Sequence, residues 1–279
     1  MSMPYHFVLV RHGESEANTI RNAALAGDDS LYTAEFINRP DHQFRLTEEG
    51  ARQAQVTGQW IKKHILTANK LLTFERTYCS PYARSIETAG HLQLPLRDGW
   101  RLEYLVRERD FGDIEGLTTA QFQRQYPQNA EKRAKDPLFW KPPGGESIME
   151  VAETRVRELY AMLHREVPNK TAIVVSHGVF LVANLLALEQ PTPEEWNNWK
   201  ADPSRKIHNC QVLHYSRVHP ETGEVSPHIR WVRSVCPWMT GVDHPGEWRE
   251  FRRHKYSNDE LLAYAQAIAR LNTNDTTSA

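Results

Sequence analysis

The sequence predicts an α/β fold: a three-layer sandwich on a mainly parallel sheet, with a partly helical inserted cap. Three observations predict it. Two apolar runs, Phe7-Val8-Leu9-Val10 and Ile173-Val174-Val175, read as strands buried on both faces, because a run that is apolar at every position has no solvent side. Each run ends in a histidine followed by glycine and a helix-like segment: Arg11-His12-Gly13-Glu14-Ser15 in the first case, Ser176-His177-Gly178-Val179 in the second. Helix followed by strand then recurs along the chain, the order of right-handed βαβ crossovers. In open sheets of this kind ligands bind beyond the carboxyl ends of the strands. His12 and His177, with Arg11 beside the first, are therefore expected at one edge suited to anionic chemistry.

The elements follow in order. A helix begins at about Glu14. Residues 26–45 are rich in Gly, Asp, Asn and Pro and read as a long loop. Thr47 caps a helix whose Ala51, Ala54, Gly58, Ile61 and Ile65 recur at three and four, with Glu48 and Glu49 complementing its dipole. Thr73 to Cys79 suits a strand, and Ser80-Pro81 reads as an N-cap followed by proline at the first helical position. Residues 112–146 are polar and carry Pro127, Pro137, Pro142, Pro143 and the Gly144-Gly145 pair, the composition of an inserted helical cap. Ser147 and Glu150 form a capping-box pattern before a helix with an Ile148, Ala152, Val156, Leu159, Leu163 stripe. Cys210 to Val235 reads as two strands turned around Pro220-Glu221-Thr222-Gly223 and added at the sheet edge. A last helix covers Asp259 to Leu271, and the polar residues 272–279 are expected to be disordered. Length alone leaves open one large domain or two small ones.

Charge narrows the function class. The 34 Lys+Arg nearly balance 35 Asp+Glu, so no overall field steers the chain to nucleic acid or an anionic membrane. The basic stretch Arg249 to Lys255 is diluted by Glu247, Glu250 and Asp259 and reads as a solvated face. The three cysteines, Cys79, Cys210 and Cys236, are widely spaced and contain no Cys-x-x-Cys pair, which favours a reducing cytosol. The amino end has neither a basic region nor a long apolar segment, and no stretch approaches the roughly 20 apolar residues of a membrane span. A cytoplasmic protein is expected.

Arg84 lies four residues after Ser80, in the first turn of a helix that starts at the end of another strand, which brings it to the same edge as Arg11, His12 and His177. Two guanidiniums, two imidazoles and helix N-termini around one pocket suit a phosphoryl group, because arginine forks bidentately to phosphate oxygens and helix starts favour anions. Two histidines could also ligate a metal, but the arginine before His12 and the lack of histidine-carboxylate spacing typical of zinc argue against it.

These residues resemble the histidine phosphatase superfamily, also called the phosphoglycerate mutase-like family. The resemblance rests on four blocks in the family's order: Arg11-His12-Gly13-Glu14-Ser15 with Asn18; Ser80-Pro81-Tyr82-Ala83-Arg84 with Thr88; Arg107-Glu108-Arg109-Asp110-Phe111-Gly112 with Glu115-Gly116; and Ser176-His177-Gly178. It implies one α/β domain over residues 1–271 with cap insertions at about 26–45 and 112–146. It also implies that His12 is the nucleophile, that Arg11, Arg84 and His177 bind the phosphate oxygens, and that Glu108 is the general acid and then the base. No metal or other cofactor is required.

Other roles stay open for several of these residues. Glu108 could be an ion-pair partner of Arg107 or Arg109, with Glu14 or Glu16 supplying the proton instead. Ser15, Asn18 and Thr88 suit helix and loop capping as well as substrate binding. After Asn18 and after Gly178 the chain reads Thr19-Ile20-Arg21-Asn22 and Val179-Phe180-Leu181-Val182, unlike the mutase pattern, and Lys132-Arg133 is the nearest approach to an Arg-Arg pair in the cap. The expected activity is hydrolysis of a small phosphomonoester. A phosphoglycerate-type mutase and a non-catalytic binder of a phosphorylated partner are the alternatives. A homodimer is compatible with this reading.

Overall fold

The computed structural model of the chain describes residues 2–270. The tail expected over 272–279 lies outside the described residues. The strands are β1 His6–Arg11, β2 Arg76–Cys79, β3 Arg101–Leu102, β4 Thr171–Ser176, β5 Val212–Ser216, β6 Trp231–Val235 and β7 Arg249–Glu250. They form one sheet in the order β3-β2-β4-β1-β5-β6-β7. The half from β3 to β1 is parallel, whereas β5, β6 and β7 are antiparallel to their neighbours. The expected pair after Cys210 is thus β5 and β6, with β5 against β1; the pair is not at the edge itself, because the short β7 adds outside β6.

The helices are α1 Glu16–Leu25, α2 Ala34–Asn38, α3 Glu48–Ile61, α4 Ala83–His91, α5 Thr119–Gln125, α6 Pro127–Lys135, α7 Ile148–Val151, α8 Arg157–Glu166, α9 Gly178–Glu189, α10 Pro193–Ala201, α11 Pro237–Thr240 and α12 Asn258–Gln266. Alternation in the central strands sorts the core into two layers. Phe7, Leu9, Ala172 and Val174 face one side, where Val156, Leu159 and Leu163 pack with Phe180 and Leu181 of α9. Val8, Val10, Ile173 and Val175 face the other, against Trp60 and Ile61 of α3 and Ala89 of α4. Helices on both faces are why these strands read as unbroken apolar runs.

Some local structure departs from the sequence reading. Residues 26–45 are not all loop: Thr33 caps α2, and Phe36 and Phe44 bury themselves with Ala17 in a small separate core. The helix after β2 starts at Ala83 rather than Pro81, with Tyr82 at the cap position; the Ser80 hydroxyl accepts from the Tyr82 amide at 3.3 Å and also lies 2.8 Å from His177 Nε2. The last helix ends at Gln266 rather than Leu271; it buries no residue, so no packing face extends it. Helix α10 was passed over, although Thr192 and Glu195 form a capping box around Pro193.

One buried polar cluster sits in the core beside β1. His6 Nδ1 lies 3.1 Å from His214 Nε2, and Arg233 donates from Nε (3.2 Å) and Nη2 (3.1 Å) to His214 Nδ1. His214 therefore carries its proton on Nε2 and donates to His6. Burial, and after it the Arg233 charge, lowers His6 to about 4 and holds His214 well below the usual imidazole range. Both rings are neutral when folded and regain a proton on unfolding below their ordinary value. Their contribution to stability is thus complete above about pH 7 and declines as pH falls through 6.5 toward 4. Urea unfolding at pH 5 should find the protein less stable than at pH 7, by about 2 kcal/mol from His6 and further in the same direction from His214. Equal midpoints and slopes at the two pH values would contradict this.

Candidate active site

The parallel register pairs Arg11 of β1 with Ser176 of β4, so the next residues, His12 and His177, leave the sheet side by side. Their ring centroids are 5.2 Å apart, edge to face. The His12 amide donates to Ser176 O at 2.9 Å, which continues the ladder one residue past the strand and fixes the ring's position. Gly13 allows the turn that follows. A Cβ there would come within 2.4 Å of Gly50 O on α3, so only glycine lets the loop press against that helix.

His12 is 3% exposed, and its Nδ1 lies 2.7 Å from Gly13 O. That carbonyl can only accept, so Nδ1 carries the proton and Nε2 keeps its lone pair. Burial, then the Arg84 and Arg11 charges, hold the ring well below the usual imidazole range. The result is a neutral imidazole with a free Nε2 among cations. His177 is fully buried, and burial first, then the Arg84 charge, hold it well below the usual imidazole range; its Nε2 lies 2.8 Å from Ser80 Oγ and 3.3 Å from Ser85 Oγ. Tyr82 packs edge-on against it with centroids 4.9 Å apart.

Arg11 donates from Nη1 to Ile207 O at 2.7 Å, while its buried Nε has no partner among the described residues. Arg84, 3% exposed, donates from Nη1 to Asp41 O (2.5 Å) and from Nη2 to Asp41 Oδ2 (2.7 Å), and Arg21 also reaches Asp41 at 3.2 Å. The loop ahead of α3 thus places a carboxylate on the fork of an arginine that points toward His12.

Glu108 Oε1 accepts from the Arg109 amide at 2.9 Å, and burial raises its carboxyl above the usual range. The ion-pair alternative is not what the fold builds. Arg107 turns to Glu146, and Arg109 donates to Glu146 O and Trp140 O. Beneath the loop, the buried Arg155 donates to the carbonyls of Leu105 (3.1 Å), Arg107 (2.7 Å) and Glu108 (3.4 Å) and pairs with Glu146 at 2.8 Å. The other acids are engaged elsewhere: Glu14 accepts from the Thr47 hydroxyl and Glu16 from the Arg45 amide.

Ser15 is fully buried. Its hydroxyl caps α1 at Asn18 N and donates to Asn18 Oδ1, so it serves the helix start instead of facing the pocket. Asn18 Oδ1 also accepts from Asn209 Nδ2 (3.0 Å), which in turn donates to His12 O (3.1 Å). Thr88 ties α4 to the loop by accepting from Gly13 N at 3.0 Å. His42 meets Tyr82 edge to face, 6.2 Å between centroids.

The sequence model of the "Histidine phosphatase superfamily (branch 1)" matches residues 7–221, the span that contains every one of these groups. The chain belongs to this superfamily. A phosphoglycerate mutase-like protein of Arabidopsis thaliana is 26% identical over 277 residues, covering 89% of this chain and 79% of its own. A 2,3-bisphosphoglycerate-dependent phosphoglycerate mutase of a Bradyrhizobium strain is 30% identical over 192 residues, 67% of this chain and 82% of its own. Among solved structures, a mycobacterial glucosyl-3-phosphoglycerate phosphatase in complex with VO3 superimposes with a TM-score of 0.53 at 25% identity, covering 76% of this chain and 92% of that one.

Sequence reasoning gave no role at the site to Asp41, Arg21, Ser85, Glu115 and Arg155. Asp41 was hidden in a segment read as loop. Arg155 follows the stripe position Ala152 in a wider, π-type turn, Ala152–Val156, between α7 and α8, and a buried arginine has no signal in an apolar periodicity. Burial, followed by Asp41's charge, raises the carboxyl of Glu115 above the usual range. Among the described residues no group of three or more His, Cys, Asp or Glu side chains is arranged to hold a metal ion.

Proposed function

We propose that the protein is a phosphomonoester hydrolase that works through a phosphohistidine at His12. The observation that carries this reading is the free, neutral Nε2 of His12 between Arg11, Arg84 and His177. In the first step the Nε2 lone pair attacks phosphorus and the bond to the leaving oxygen breaks. Glu108 gives its proton to that oxygen. The Nδ1 proton stays on its bond to Gly13 O, which supports the positive charge on the phosphorylated ring. Arg11, Arg84 and His177 stabilise the charge spread over the non-bridging oxygens, as phosphoryl transfer requires. In the second step Glu108, now a carboxylate, takes a proton from water, the oxygen bonds to phosphorus, and the P–N electron pair returns to Nε2. The raised carboxyl of Glu108 suits a group that must start protonated.

A phosphoglycerate-type mutase is the second reading, favoured by the 30% identity to bisphosphoglycerate-dependent mutases. Two features favour hydrolysis. The Arg133 guanidinium lies over Phe122 (5.8 Å) and Trp140 (5.5 Å) inside the cap, where it supports packing. The chain after Gly178 continues with apolar residues. Rapid quench with a labelled substrate should trap an acid-labile phosphoryl group, and its transfer to water rather than to 3-phosphoglycerate decides between the two. We place this activity in the cytoplasm, a reading supported by three free, buried cysteines. No helix among the described residues is long and apolar enough to cross a membrane.

The role of Glu108 has its own test. Glu108→Gln should slow alkyl phosphates by about 10²-fold or more, and p-nitrophenyl phosphate far less, because that phenolate leaves without a full proton. Equal losses on both substrates would remove Glu108 from the role of acid.

A further inference from the structure

A cavity of about 1100 Å³ opens beside the phosphate pocket, between α9, α10 and the β5–β6 part of the sheet. Of the five groups assigned to the chemistry, Arg11 and Glu108 line it, and His12, Arg84 and His177 do not. This placement gives the cavity a direction. In an in-line transfer the leaving oxygen lies opposite the attacking Nε2 and must touch the acid, so the space that begins at Glu108 lies on the leaving-group side.

The walls are apolar for the larger part, with charged side chains such as Lys200, Lys206 and Glu247 among them. Helix α9 turns Val179, Val182 and Leu185 toward the space, three residues apart on one helical face and only half-buried in the protein. Leu213 and Val232 of the sheet lie across from them, and Trp196 and Trp199 come from α10. Four of the charged side chains present are already paired, Arg249 with Glu189 and Arg205 with Asp202. A three-carbon sugar acid would leave most of such a space to water against hydrocarbon. A cavity at or above the roughly 300–1,000 Å³ typical of sites for drug-sized ligands fits a much larger group.

We propose that this chamber receives the alcohol half of the substrate, and that this half carries a bulky apolar body. The proposal rests on the phosphatase reading only for the direction of the leaving group. Phenyl and 2-naphthyl phosphate separate the two claims, because their leaving groups are of similar acidity and they differ in apolar size. Calorimetric titration of the His12→Ala protein, which binds without turnover, should find 2-naphthyl phosphate about tenfold tighter or better. Val182→Asp, and separately Trp199→Ala, should erase most of that preference and leave phenyl phosphate affinity within about threefold. Wild-type kcat/KM should favour the naphthyl ester by a similar factor. Equal binding of the two esters, or a preference that survives both substitutions, overturns the chamber even if phosphate is released. Preferential binding with no phosphate release from either ester by the wild type leaves the chamber standing and overturns the phosphatase reading.

Discussion

His12→Ala is expected to lower phosphate release by at least about 10⁴-fold and to abolish the trapped phosphoryl-enzyme altogether, because it removes the proposed nucleophile. His177 is the nearest alternative, but its Nε2 faces Ser80 Oγ at 2.8 Å and its ring is enclosed. The substitution removes a ring that packs on His177 with centroids 5.2 Å apart, so circular dichroism and the urea midpoint should accompany the rate. A folded His12→Ala protein that still accumulates acid-labile phosphate would move the nucleophile elsewhere.

The second large effect is at Arg84. Arg84→Ala should depress kcat/KM by about 10³-fold on alkyl and aryl phosphates alike, because the guanidinium acts on oxygens common to every substrate. The pH dependence should move as well. The Arg84 charge lowers His12 and also lowers Glu108, so removing it raises both. The acid limb, where His12 loses its proton and becomes a nucleophile, shifts to higher pH. The alkaline limb, where Glu108 gives up the proton it must donate, shifts the same way. A profile that falls in height yet keeps both limbs in place would mean that Arg84 does not act on these groups.

Much of the site was legible because backbone topology determines it. An apolar run ending in histidine and glycine is a local pattern, and parallel pairing of two such runs brings their ends together whatever the loops do. That is why Arg11, His12 and His177 could be read from residue order alone, with Arg84 following from a helix that starts at a neighbouring strand end. Asp41 and Arg155 were illegible for a different reason. Their partners are Arg84, 43 residues from Asp41, and carbonyls 47 to 50 residues from Arg155, and polar contacts across loops leave no periodicity. Ser80 shows the same limit from the other side. Its sequence setting is that of a helix cap, and the hydroxyl does accept from the Tyr82 amide, but its long-range contact with His177 left no local signal. The fold of residues 26–45 was underread because a core as small as Ala17, Phe36 and Phe44 is too short to register against a glycine- and proline-rich background.

The Asp41–Arg84 pair makes ligand entry an exchange rather than an addition. An incoming phosphoryl group must take the Arg84 fork from a carboxylate already seated there, and Asp41 must turn to Arg21 or to solvent as it yields. Part of the attraction of any dianion for the pocket is therefore spent on displacing a resident anion. An ester recovers that loss through contacts made by its alcohol half, whereas inorganic phosphate has no such half. In the proposed reaction, breaking the P–N bond would leave the same carboxylate beside the fork, an internal anion placed to reclaim it and favour product departure.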